Sequence, residues 1–285
     1  MAMESESGRP SGALGDGSTM FGTVLVSGAT GFVGFHVVQT LLAHSGVNQV
    51  RCLTRKPTPD LEELAAVSGG RVQLCLGDLG TVESCRSSVA PHLADVDGVI
   101  NCAAHYRWWT KSPNQFRRLN AEAAGELAAL SRQAGVRQVP ATLGHETTFT
   151  YIGVRDAAAA IVAALHRGKT GRRYLIGNQR MATDEYYNLI ARLSGTPPPR
   201  PVVPVWLAAG WAQAAAALAT LTGVPPQAPP DLIRTVAYGT LLYDSGCSEA
   251  ELGLALPYRD IAASFQEAVE CVKRHDAQRV AGARP

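Results

Sequence analysis

The chain has 285 residues, 46% of them hydrophobic, and 26 Lys and Arg against 24 Asp and Glu leave a formal net charge of +2. That length suits one large α/β domain, or one domain with a small appendage, and basic residues scattered along a near-neutral chain leave no nucleic-acid footprint. Six cysteines (Cys52, Cys75, Cys85, Cys102, Cys247, Cys271) form no CxxC pair and no metal spacing, so free thiols in a reducing, cytoplasmic compartment and no metal site are expected.

Residues 1–22 are rich in Ser, Gly and Glu without an apolar run. They read as a disordered extension, not a secretory signal. Thr23–Val26 is a short, mostly β-branched strand. Val33, Val37, Val38, Leu41 and Leu42 then recur at helical spacing, to about His44. Between them stand Gly28, Gly31 and Gly34, every third residue. Such a strand-to-helix turn suits a pyrophosphate: Gly28 for the sharp turn, Gly31 for close backbone approach, Gly34 for packing of helix on strand. The N–H groups and dipole of the following helix would hold the anion. Gly28, Thr30, Gly31, Phe32, Val33 and Gly34 are therefore candidate cofactor contacts.

A second strand, Gln49–Leu53, ends in Thr54-Arg55-Lys56, with no carboxylate before Asp60. An acidic residue there would bind a ribose 2′-hydroxyl, whereas Arg55 and Lys56 suit a 2′-phosphate. NADP is the expected cofactor, with NAD the alternative. Val72–Leu79 is a third strand running into a turn. Asp78, beside Leu79, is placed either to accept a hydrogen bond from an adenine amino group or to cap the next helix. Asp95–Gly98 is a turn, and Val99–Ala104 the fourth strand and its exit. Ala103 and Ala104 suit either passage close to a ribose or nicotinamide or simple strand packing.

His105, Tyr106 and Trp108 follow a strand's C-terminal end, where open α/β sheets bind ligands, and are candidate substrate-pocket residues. Asn120–Ala134 reads as an Ala-rich helix and Val136–Val139 as a fifth strand. Beyond it, Asp156 is a candidate N-cap for a helix Ala157–His166 that Gly168 ends. Arg173–Ile176 reads as a strand, Thr183 as the cap of a helix through Leu193, and Pro197–Pro204 as a connector. Val205–Thr222 is apolar and Ala-rich. Ala rather than Leu dominates, which favours a buried or groove-lining helix over membrane association. Helices from Asp231 and over Arg259–Lys273 complete this part, and residues 277–285 read as a disordered tail.

Gly28-Ala-Thr-Gly31-Phe-Val-Gly34, Gly77-Asp78-Leu79, Asn101-Cys-Ala-Ala104 and Asn120-Ala-Glu resemble the extended short-chain dehydrogenase/reductases. The nearest look is to the dihydroflavonol-reductase-like and NAD-dependent epimerase/dehydratase group. The likeness resumes at Tyr151-Ile-Gly-Val-Arg-Asp156, Arg173-Tyr174-Leu-Ile-Gly177, Tyr243-Asp244 and Glu251-Leu252-Gly253. It implies a Rossmann-like, doubly wound parallel α/β sheet over residues 23–180. A small, mostly helical substrate subdomain over 181–276 would close on a small molecule.

The same resemblance implies a Tyr as general acid or base and a Lys four residues later that lowers its pKa. The chain holds only Lys56, Lys111, Lys169 and Lys273, preceded at that spacing by Cys52, Arg107, Leu165 and Val269. Tyr151 and Arg155 have the spacing, but fall where the family has a late strand and helix start, and Arg is no simple substitute for Lys. No catalytic residue is therefore assigned. After Val139 the chain meets Pro140-Ala-Thr-Leu-Gly-His145 and reaches the late-strand segment at Phe149. That join is barely long enough for a parallel crossover, so the sixth strand is expected to be lost or replaced, as in a variant shortened by splicing, deletion or gene prediction. The expected function is NADP(H) binding by a catalytically impaired relative of an oxidoreductase or epimerase. The alternative is a non-catalytic dinucleotide-binding regulatory or dimerising protein, and a homodimer stays open.

Overall fold

The computed structural model describes residues 21–104, 137–140, 150–177, 179–195, 205–222, 244–256 and 260–282, with residues 122, 126, 127, 129, 130, 230, 233 and 242. Five strands, β1 (Thr23–Ser27), β2 (Gln49–Thr54), β3 (Val72–Leu76), β4 (Gly98–Asn101) and β5 (Arg137–Pro140), form a parallel sheet in the order β3-β2-β1-β4-β5. The order reverses between β1 and β4, so their C-terminal ends diverge into the crevice where open parallel sheets take ligands. In register, Ser27 stands beside Leu53 on one side and Asn101 on the other.

Alternation along β1 builds two cores. Val24 and Val26 face α1 (Phe32–Ala43), α2 (Pro59–Val67) and α3 (Val154–Arg167), in a cluster with Val37, Val38, Leu41, Leu61 and Leu165. Leu25 faces the other way, with Leu53, Cys75 and Val99, and is covered by Cys85, Val89, Leu93 and Leu127. Two buried faces on one parallel sheet make the fold doubly wound and Rossmann-like. Helix α2 is not evident in the hydrophobic spacing; Pro59 at its first turn and Asp60 and Glu62 near its positive end favour it locally. On the second face, a helical run over residues 82–93 is pinned to the sheet by Arg51, whose Nη1 donates to His92 O at 3.0 Å and to Ala94 O.

Beyond β5 the described residues add no strand to this sheet. β6 (Thr150–Tyr151) pairs antiparallel with β7 (Gln179–Arg180) as a separate ribbon. The expected strand at Arg173–Ile176 does not form: the Leu175 N–H donates to Ser248 Oγ at 3.1 Å rather than to a ladder. Capping also differs. α3 is capped by Gly153, with buried Asp156 three residues inside. α4 (Thr183–Ser194) starts after Ala182, whose N–H donates to Glu185 Oε2 at 3.1 Å, so Thr183 is the first helical residue. α5 (Val205–Thr222) carries its large apolar side chains outward, so of the two expectations, buried or groove-lining, the helix is not the buried one. α6 (Gly246–Leu252) and α7 (Ile261–Gly282) follow, α7 running past Lys273 into the stretch read as a tail. A helix starting at Asp231 lies outside the described residues, as do most of Asn120–Ala134 and residues 1–20 of the expected 1–22 extension. The last two residues of that extension belong to the fold: Phe21 is buried in the core, and Gly22 O accepts from the N–H groups of Asn48 and Gln49.

Candidate dinucleotide site

Three chain segments meet at the C-terminal edge of the sheet. The first is the turn after β1. Gly28 sits at φ +70°, and a Cβ there would come within 2.7 Å of Ala103 N. Gly31 N–H donates to Gly28 O at 2.9 Å, closing the turn. A Cβ on Gly34 would strike Gly28 O, so that glycine is needed for helix–strand contact. Gly31 differs: its Cβ would meet only Gly28 O, at 3.2 Å, and otherwise enter open space. Thr30, Gly31 and Phe32 are exposed and Val33 half-buried. Gly31 caps α1 without a side-chain hydrogen bond, and the first turn of α1 holds no acidic residue. The N-terminal N–H groups of α1 therefore face outward with no anionic side chain of the helix itself in competition.

The second segment is the exit of β4. Ser27 Oγ donates to Asn101 Oδ1 at 2.5 Å, and Ala103 N–H donates to the same oxygen at 3.2 Å. Cys102 N–H donates to Ser27 O at 3.1 Å. Buried Asn101 thus holds the backbone of Ala103 against Gly28, while Ala104 is exposed. Ser27 and Asn101 are the positioning residues that sequence reasoning missed. Their signal was a polar residue at the last position of each of two adjacent buried strands.

The third segment is the pair of loops after β2 and β3. Thr54 Oγ1 donates to Lys56 O at 2.8 Å and accepts from Lys56 N–H at 3.2 Å. This clasp turns Arg55 and Lys56 outward, and both are exposed. Asp78 Oδ1 accepts from Gly80 N–H at 3.0 Å, and Asp78 N–H donates to Ser88 Oγ at 2.9 Å. The following helical turn is capped by Thr81, whose Oγ1 accepts from Ser84 N–H at 3.1 Å. Of the two roles left open for Asp78, capping is thus taken by Thr81. Leu79 is buried, 8% exposed, and packs into the second core. Its side chain is structural, so any cofactor contact at this position falls to the backbone.

His105, Tyr106 and Trp108 lie outside the described residues. Tyr151 and Arg155 each engage side chains of other elements. The Tyr151 ring stacks on Tyr186 at 5.3 Å and meets Phe265 edge-on at 5.7 Å. The Arg155 guanidinium grips Glu267 of α7 at 2.7 to 3.2 Å, and this pairing holds the Glu267 carboxyl below the usual range. Glu267 also stands 3.7 Å from His36 Nε2, whose Nδ1 is 2.9 Å from Phe32 O in the first turn of α1. Cys102, nearest the crevice, is no alternative nucleophile, because burial pushes its thiol up to about 12. Among the described residues no group of His, Cys, Asp or Glu could hold a metal ion.

The family model for the NAD dependent epimerase/dehydratase family matches residues 24–142. A Synechocystis sp. protein provisionally named dihydroflavonol 4-reductase is 31% identical over 143 residues, covering 49% of this chain. The chain spans only 40% of that relative's length. Among solved structures, gox2253 superposes with a TM-score of 0.65 at 21% identity, covering 89% of this chain and 98% of that one. A Citrobacter sp. triphenylmethane reductase complexed with NADP(H) superposes with a TM-score of 0.57 at 15% identity, covering 87% and 99%. At these identities the superpositions establish the fold.

Proposed function

We propose, from the match of residues 24–142 to the NAD dependent epimerase/dehydratase family model, that this chain binds NADP(H) in the β1–β4 crevice and turns over substrate poorly on its own. The observation that carries the reading is the open space above Gly31, beside an α1 N-terminus that no side chain caps. A pyrophosphate there would meet outward N–H groups and the positive end of the helix. Arg55 and Lys56, turned outward by Thr54, would take a 2′-phosphate in preference to a bare ribose hydroxyl. Ser27 and Asn101 would hold Ala103 as the wall of the crevice.

When bound, the dinucleotide supplies a hydride acceptor or donor. The reaction class is that of an oxidoreductase or epimerase acting on a small carbonyl or hydroxyl compound. What the sequence lacks is the Tyr-x-x-x-Lys spacing through which a Lys would lower the pKa of a phenol. None of its four lysines stands four residues after a Tyr, and Arg155 is engaged by Glu267. Without that cation a phenol near its ordinary pKa of about 10 is a weak base at neutral pH.

Calorimetric titration with NADPH and NADH, followed by an NADPH-oxidation assay with small ketones, tests both parts. Saturable binding favouring NADPH, with negligible oxidation, is the expected result. Absence of binding to either dinucleotide would refute the cofactor reading, and brisk oxidation would refute the impairment.

A further inference from the structure

Helix α5 contains no Asp, Glu, Lys or Arg across its 18 residues. Its side chains sort into stripes. Ala208, Ala212, Ala215 and Ala219 form one, with Ala212 and Ala219 buried at 0% and 2% exposure. Leu207, Trp211, Ala214, Leu218 and Leu221 form the next, all exposed. Their spacing of four, three, four and three residues makes a straight seam on one side of a helix. Trp206, 76% exposed, flanks it. A monomer gains nothing by holding two Trp and three Leu in water.

We infer that this seam is a dimer interface, occupied by α5 of a second copy running antiparallel about a two-fold axis through Ala214. The seam is symmetric about that residue to within one position: Leu207 and Leu221 lie seven residues to either side, Trp211 three before and Leu218 four after. Antiparallel pairing sets Leu207 against Leu221 of the second copy and Trp211 against its Leu218, large beside large at both ends. The small Ala214 at the centre lets the two backbones approach. A two-fold contact of this kind uses the same patch on both copies and closes on itself. Its size is adequate. With Trp206 and Trp211 at 76% and 56% exposure and Leu207, Leu218 and Leu221 at 51%, 60% and 85%, each copy offers about 600 Å², or roughly 1,200 Å² for the pair, above the ~1,000 Å² of a specific interface. The lack of charge favours self-pairing over a lipid surface, since helices that lie on membranes carry Lys and Arg on a polar face. No described helix is long and apolar enough to cross a membrane. This surface is independent of the dinucleotide site.

The test is sedimentation velocity of the full chain across the micromolar range, with and without the pair Trp211→Glu and Leu218→Glu. A dimer mass that falls to monomer in the double variant, with the far-UV spectrum unchanged, is the expected result. Should the double variant fail to fold, oxidation of Ala214→Cys in a Cys247→Ser background decides: a covalent dimer on a non-reducing gel is expected, and none from Gln213→Cys on the outer face. A monomer at all concentrations, a dimer that survives both glutamates, a missing Ala214→Cys cross-link, or a monomer that floats with phosphatidylcholine vesicles through this seam would overturn the inference.

Discussion

Three glycines share one turn, yet they have different work. At Gly31 an added side chain meets one carbonyl oxygen at 3.2 Å and then space. Gly31→Val should therefore leave the melting temperature nearly unchanged while weakening NADPH binding at least tenfold, read by calorimetry. At Gly34 the new Cβ would hit Gly28 O, so Gly34→Ala should cost about 1–3 kcal/mol of stability, read by denaturant unfolding. Equal stability of the two variants would contradict this division. Arg55→Asp should lower NADPH affinity relative to NADH, and an unaltered ratio would remove the 2′-phosphate role. Thiol reactivity follows burial: Cys247 is exposed, whereas burial raises the thiols of Cys52 and Cys102 to about 12 and of Cys85 to about 11. Ellman's reagent at neutral pH should label Cys247 at once, and Cys52, Cys85 and Cys102 only on unfolding.

Elements built from strong local signals were readable in the sequence; those that depend on distant partners were not. β1 and α1 declare themselves because β-branched residues, a glycine turn and helical spacing coincide within Thr23–Leu42. The candidate cradle was legible for the same reason: its backbone geometry is written in glycine. Ser27 and Asn101 were not, since their meaning comes from a register that only folding brings together. The Arg173–Ile176 segment has strand composition, but Ser248, far along the chain, takes the hydrogen bond a ladder would need. The orientation of α5 was hidden because periodicity identifies stripes, not the side on which the protein lies. Arg155, half-exposed and paired with Glu267, is a tie between α3 and α7. Arg155→Ala should cost under about 1 kcal/mol and leave NADPH affinity unchanged; a lost affinity would assign Arg155 a direct part in the site.

At the scale of the molecule, burial sets the pH range of stability. His44 lies in the α1–α3 contact, stacked 4.6 Å from His166, and burial first, then the Arg167 charge, lower its pKa below 6.5. Its contribution is whole above pH 6.5 and is lost as pH falls through the depressed folded value. The buried thiols act oppositely: with folded values above 9.0, their contribution is whole below pH 9 and is lost as pH rises through about 11 to 12. Melting temperature plotted against pH should therefore form a plateau between these limits. His44→Phe should flatten its acidic edge, and an unchanged edge would remove His44 as the cause.

The packing of α3 against α1 also constrains how the molecule is made. Val24, Val26, Val37 and Val38 are covered by a helix that ends at Arg167. More than 110 residues must leave the ribosome between α1 and the completion of α3, roughly ten seconds of synthesis. Throughout that interval the nascent first half has a bare greasy flank. Chaperone capture should therefore peak on chains stalled just short of α3 and subside once that helix emerges.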